Sequence, residues 1–127
     1  MSFKDNKYFK DLVISEITQY KLNPTSFTEA KIRSIFSRAY YTIFLHCRDE
    51  LELEYNDELS IHQTVKSNIK NLEINQLFHE HHKTRKKMDY NNLSIDLTST
   101  GKLVKDLDSI RRDMNRILSL KKEDLIK

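Results

Sequence analysis

The sequence predicts an all-α domain, an up-and-down bundle of four to five helices, and three observations carry that prediction. Its 127 residues hold one Gly and one Pro, so tight turns are few. Apolar residues return at three- and four-residue spacing in five successive stretches, which stacks them on one face of a 3.6-residue helix. Alternating apolar and polar segments bounded by glycine, the mark of strands, are almost absent. At this length residues 1–127 form one domain, large enough to bury most of the surface that the unfolded chain exposes.

The bundle is organised around a long helix over residues 28–54. Ile32, Ile35, Phe36, Ala39, Tyr40, Ile43, Phe44, Cys47 and Leu51 form a continuous stripe along it, and Tyr41 and Leu45 widen that stripe. So broad an apolar band needs cover from more than one side, which makes this helix a central member of the bundle. Thr25, Ser26 or Thr28 can cap its start, with Glu29 three residues after Ser26 as in a capping box. The first helix spans residues 1–22, with Phe9, Leu12, Val13, Ile17 and Tyr20 inside; the connector KLNPTS ends it, because Pro24 removes an amide donor and biases Asn23 away from helix.

After residue 54 the polar run EYNDEL leads to Ser60, which can cap a short helix over residues 60–70 with Ile61, Val65 and Ile69 inside. The fourth helix, residues 74–90, departs from the pattern. Ile74, Leu77 and Phe78 open its inner stripe, but the same spacing then brings up His81, Arg85 and Met88. A charged side chain is thus written into the apolar face. YNNLSIDLTSTG reads as a loop, and the last helix covers residues 98–120, with Leu103, Val104, Leu107, Ile110, Met114, Ile117 and Leu118 inside and Arg111, Arg112 and Arg116 outside. The tail KKEDLIK is expected to fray.

The formal charge of +3 is mild and permits a polyanionic partner. A lone cysteine, Cys47, forms no internal disulfide, and its place on the core stripe makes it a small packing residue. The opening MSFKDNKYFKD is charged, and no apolar run reaches the roughly 20 residues that span a bilayer, so the reading is a cytoplasmic protein with no membrane partner.

The run HEHHKTRKKMDY, His79 to Tyr90, concentrates the chemistry. It does not make a zinc site: in the His-Glu-x-x-His pattern Lys83 takes the place of the second imidazole, and although His79 and His82 meet on adjacent turns, no Cys or acid stands at a suitable spacing. No metal and no cofactor is expected. The same run fits a polyanion: Lys83, Arg85, Lys86 and Lys87 supply positive charge, and Tyr90 can stack on a base. Arg85 stands apart from its neighbours, with His81 one turn before it and Asp89 one turn after, so an Arg–carboxylate contact at i,i+4 can hold it and aim it into a cleft. On the central helix, Arg38 and Tyr41 share a face and His46 lies about a turn beyond. No Ser–His–Asp set, Gly-rich phosphate loop or carboxylate pair is present in the pattern.

Two of these pieces, SRAYYTIFLHCRDEL (Ser37 to Leu51) and RKKMDY (Arg85 to Tyr90), with the short His-containing helix SIHQTVKSNI between them, resemble the HEPN superfamily. In these small prokaryotic helical proteins a helix of the form S-R-A-Y-Y-x-x-F-H precedes one carrying R-x-x-A-D-Y, and the resemblance covers roughly residues 29–120. It implies an HEPN-like bundle that forms a two-fold homodimer with the later motifs of both protomers in one shared cleft. It also implies RNA or another nucleic acid as the ligand, in a phage-defence or toxin–antitoxin setting. Many members are metal-independent endoribonucleases that use an Arg, four to six intervening residues and a His; there the Arg stabilises phosphate charge and the His transfers protons. Arg85 matches the motif's Arg, but no His follows His82, and Tyr90 stands near the place where the His belongs. Tyr90 and Arg85 are then the catalytic candidates, with His81, His82 or His46 as substitutes for the missing imidazole. Asp89, Arg38 and Tyr41 orient the site. Because a phenol is a poor base at neutral pH, binding is favoured over cutting. The alternative implied by the family is a non-catalytic dimerisation or interaction module whose partner is another protein, such as a nucleotidyltransferase.

Overall fold

The computed structural model describes residues 3–53, 61–90 and 95–127, with the side chains of residues 3–6 and of Tyr90 outside the description. Among the described residues the fold is all-helical: α1 (Phe3–Leu22), a 3-10 turn (Pro24–Ser26), α2 (Glu29–Glu50), α3 (Ile61–Asn68), α4 (Leu72–Tyr90), α5 (Thr100–Leu118) and α6 (Lys122–Ile126). As its broad apolar band requires, α2 is central. It packs on α1, α4 and α5 and also touches α3 and α6. Every residue of the nine-membered stripe from Ile32 to Leu51 is buried, as is Leu45, whereas Tyr41 stays more than a third exposed beside Phe9 of α1. Val13, Ile17 and Tyr20 of α1, Ile74 and Phe78 of α4 and Leu103, Leu107, Ile110, Met114 and Ile117 of α5 close the core around it.

The ends of the helices show which residues hold the corners. Thr28 is the cap of α2, its Oγ1 accepting from Lys31 N–H at 3.2 Å. Ser26 instead bonds back to the Asn23 carbonyl, and Glu29 is drawn to Arg33 and to the Ile95 amide, so the capping box expected from Ser26 and Glu29 does not form. At its other end α2 stops with Glu52 in the left-handed region (φ 56°), while Leu53 N–H reaches the Arg48 carbonyl and Glu52 N–H the Asp49 carbonyl, a pairing that satisfies two terminal carbonyls. The expected cap at Ser60 and the run EYNDEL lie outside the described residues, as do residues 91–94 of the expected loop.

The tail corrects the sequence reading. It is a sixth helix, and Leu125 is fully buried. Its carbonyl accepts the N–H groups of both Lys70 and Asn71 at 2.9 Å, and Asn71 Nδ2 reaches the Asp124 carbonyl at 3.3 Å. One apolar residue and two otherwise orphaned amides at the start of α4 thus anchor a segment whose composition looks like a frayed end. Asn71 Oδ1 also caps α4 by accepting Ile74 N–H, and Asn75 Nδ2 donates to the carbonyls of Lys66 and Ile69. The corner between α3 and α4 is therefore tied on both sides, which sets the relative position of the side chains that face each other across it.

Candidate functional site

Two pairs of residues, each a His followed four positions later by a Lys, meet across the α3–α4 corner. On a helix that spacing places both side chains on one face. His62 and Lys66 come from α3, His82 and Lys86 from α4, and together with Gln63 and His79 they line a cleft of about 370 Å³. No carboxylate is among these lining residues.

The two imidazoles stack on each other, with centroids 4.9 Å apart and planes 13° from parallel. Aromatic rings surround them: Phe44 lies 4.2 Å from His62, and Tyr40 lies 4.9 Å from His82. Tyr40 itself is buried at the base, and its hydroxyl is 2.7 Å from His62 Nδ1. Burial raises the Tyr40 pKa well above the ordinary phenol value, so Tyr40 keeps its proton, and its O–H, with no other acceptor among the described residues, is assigned as the donor to Nδ1. His62 is then the tautomer with its own proton on Nε2.

Burial, followed by the charges of Arg85 and Lys86, lowers the His62 pKa. His82 is pushed down to about 4, first by burial and then by His62, Lys86, Arg85 and His79. Near neutral pH both rings are uncharged inside a rim of cations.

Arg85 lies behind this cleft. Its guanidinium sits over the Tyr40 ring at 5.8 Å, and its Nε is 2.8 Å from Asp89 Oδ2, the i,i+4 contact expected from the sequence. That N–H does not point along the contact, so the pair is ionic and Nε, although buried, has no hydrogen-bond acceptor among the described residues. Asp89 is also 3.5 Å from Ser37 Oγ, and Arg33 donates to the Met88 carbonyl at 2.7 Å, which fastens the end of α4 to α2. Lys83, Lys86 and Lys87 make no ion pair among the described residues, and all three are exposed.

The other candidates are placed elsewhere. His81 turns towards α5, where Nε2 meets Asp113 Oδ2 at 2.8 Å in a nearly buried pair. His46 is buried, with Nε2 2.8 Å from the Leu120 carbonyl, and so holds the α5–α6 junction to α2. Arg38 pairs with Glu16 of α1 and with Ser34, and Tyr41 packs its ring on Phe9 and Phe44. Among the described residues, no hydrogen bond or ion pair joins any of these four to Arg85. Tyr90 ends α4, and its side chain lies outside the described residues. Among the described residues no group of three or more His, Cys, Asp or Glu is placed to hold a metal ion.

His62 is the residue that the sequence reading passed over as a functional group. Its signal was the repeated four-residue step, HQTVK and HKTRK, which marks two basic helix faces without saying that they oppose each other. Compared with models of known families, with curated proteins and with solved structures, the chain matches none.

Chemically, the cleft offers ammonium groups and N–H donors to an anion and a neutral imidazole as a base. His62 and His82 are uncharged near neutral pH and Tyr40 holds its proton tightly, so none of these three is a good acid there.

Proposed function

We propose that this protein binds RNA through the basic side of α4 and its cleft with α3, as an HEPN-like helical domain acting in a prokaryotic defence or toxin–antitoxin setting. The observation that carries the reading is a cleft with no carboxylate among its described lining residues, in which Lys66 and Lys86 flank two neutral imidazoles. Lys83 and Lys87 extend the positive surface along the same helix. Lysines contact phosphate oxygens without reading sequence, so the contact made here is with the RNA backbone. Arg85 adds a guanidinium at the back of the site.

Retention without turnover is the favoured activity. Metal-independent cleavage at a 2′-hydroxyl needs a base to take that proton and an acid to protonate the leaving oxygen, and the pair His62 and His82 supplies the first without the second. The family resemblance adds a two-fold dimer that joins two such surfaces.

The test is incubation of purified protein with single-stranded RNA in excess chelator, read by gel shift and by RNA integrity, with Arg85→Ala alongside and mass measured by light scattering. The expected result is a shifted, intact RNA on a dimer, with weaker retention by the variant. Absence of any shift at low salt overturns the proposal. A second reading, a protein-interaction module in which Arg85 serves the fold, draws on the ties of Arg85 to Asp89 and of Asp89 to Ser37. It is favoured if Arg85→Ala lowers thermal stability or breaks the dimer while wild-type protein leaves RNA unbound.

A further inference from the structure

We propose that the α3–α4 cleft captures an RNA phosphate between Lys66 and Lys86 and that the stacked pair His62 and His82 takes up a proton as the phosphate enters, so that RNA binding is driven by acidification. This rests on the RNA-binding reading above and specifies how the same site is regulated. At about 370 Å³ the cleft falls within the range of about 300–1000 Å³ typical of ligand sites, room enough for a phosphate with its sugar.

The geometry supplies the coupling. Among the described residues, every titratable or charged group that faces the imidazole pair is cationic or neutral: Lys66 from α3, His79, Arg85 and Lys86 from α4, and the phenol of Tyr40 from α2. Among the described residues no carboxylate faces the pair, so none of them balances an imidazolium. Cationic neighbours and burial therefore hold both rings neutral. A phosphate diester brings the missing negative charge to within contact of the rings, which reverses the sign of the largest local charge and restores proton affinity.

The hydrogen bond at the base of the site tolerates this change. Neutral His62 accepts from the Tyr40 hydroxyl at Nδ1; on protonation Nδ1–H donates to the Tyr40 oxygen, which as a phenol can also accept. The 2.7 Å contact survives with its direction reversed, at the cost of the acceptor that the Tyr40 hydroxyl hydrogen had in the neutral pair. For His82 no hydrogen-bond partner exists among the described residues, so its nitrogens remain available to a phosphate oxygen. Stacking at 4.9 Å lets one proton, and disfavours two, on the pair.

The experiment measures the affinity of a fluorescent single-stranded RNA 12-mer in chelator at constant ionic strength, at pH 7.5, 6.5 and 5.5. At pH 6.0 titration calorimetry in two buffers of different ionisation enthalpy counts the protons taken up by the wild-type protein. The expected result is an affinity rising about tenfold from pH 7.5 to 5.5, with close to one proton taken up per site. Substitution of both rings, His62→Gln with His82→Gln, is expected to flatten the pH dependence. If wild type binds RNA with less than a twofold change across this range and no proton uptake, the inference is overturned while RNA binding stands. The same holds if the folded double variant retains the full pH dependence. If no RNA binds at any pH, the functional reading itself fails and takes the inference with it.

Discussion

His81 and His82 are neighbours in sequence, and the fold gives them opposite surroundings. A step of one residue turns a side chain by about 100° around a helix, which here is enough to carry it from one seam of α4 to the other. His81 faces α5 in a cleft of about 190 Å³ with Asp106 and Ser109 on its walls, and Asp113 receives it. His82 faces α3 in the larger cleft, among aromatic rings and cations, with no carboxylate among the described lining residues. One imidazole has found its counter-charge inside the protein. The other has every feature of a ring whose counter-charge comes from outside, and that difference separates a structural histidine from a candidate binding one.

The comparison can be broken most forcefully at the α5 seam. Asp113→Ala removes the partner of a nearly buried imidazole, and because an unsatisfied buried polar group costs about 1–3 kcal/mol the melting temperature is expected to fall by ~8 °C. RNA affinity at a temperature where the variant is folded is expected to stay within twofold of wild type. A strong loss of RNA binding in folded Asp113→Ala would merge the two seams into one site.

On the other side, Arg85→Gln keeps a long polar side chain but removes the cation behind the cleft. RNA affinity is expected to fall about tenfold, in line with the loss of one charge-assisted contact, with a smaller change in melting temperature than at Asp113. Equal and large losses of stability at both positions would assign Arg85 to the fold.

Acid stability sharpens the contrast further. His62 and His82 are held neutral in the folded state, so their folded pKa values lie below the unfolded value of about 6.5. The unfolded chain therefore gains protons that the folded chain refuses, and the stability these rings contribute is present above about pH 6.5 and lost as the pH falls towards 4. Without RNA, the melting temperature measured at pH 5 is expected to lie a few degrees below that at pH 7, on the order of 3–5 °C. The His62→Gln, His82→Gln double variant is expected to lose most of that slope. A slope unchanged by the substitutions would place the acid-sensitive groups elsewhere.

The smallest expected effect is on the exposed stretch of α4. Lys87→Ala should weaken RNA binding mildly and lower the log–log salt slope by about 0.7, as for one lost phosphate contact on a single strand. No change in slope would put the RNA path inside the cleft alone.

The fold was largely legible in the sequence, since three- and four-residue spacing is imposed by the helix itself and the α2 stripe from Ile32 to Leu51 needs no tertiary information to be read. The tail was not legible. Its docking depends on Leu125 meeting two backbone amides some 55 residues earlier in the chain, a contact that leaves no local trace. At the site, the basic run on α4 and the Arg85–Asp89 pair were readable because both lie within one helix. The meeting of His62 with His82 was not, because it is made by the corner between α3 and α4. His46 and His81 looked equally available in the sequence, and only their distant partners, Leu120 and Asp113, show that both are already engaged.

The central claim is that the α3–α4 cleft is built for a phosphate. The most direct measurement is the affinity for single-stranded RNA of wild type against the paired substitution Lys66→Ala with Lys86→Ala, at neutral pH and about 0.1 M salt, with melting temperatures taken in parallel. Both lysines are away from the core, so stability is expected to hold while affinity falls at least tenfold. Equal affinity in the two proteins, or no RNA binding by wild type at any salt concentration, would contradict it.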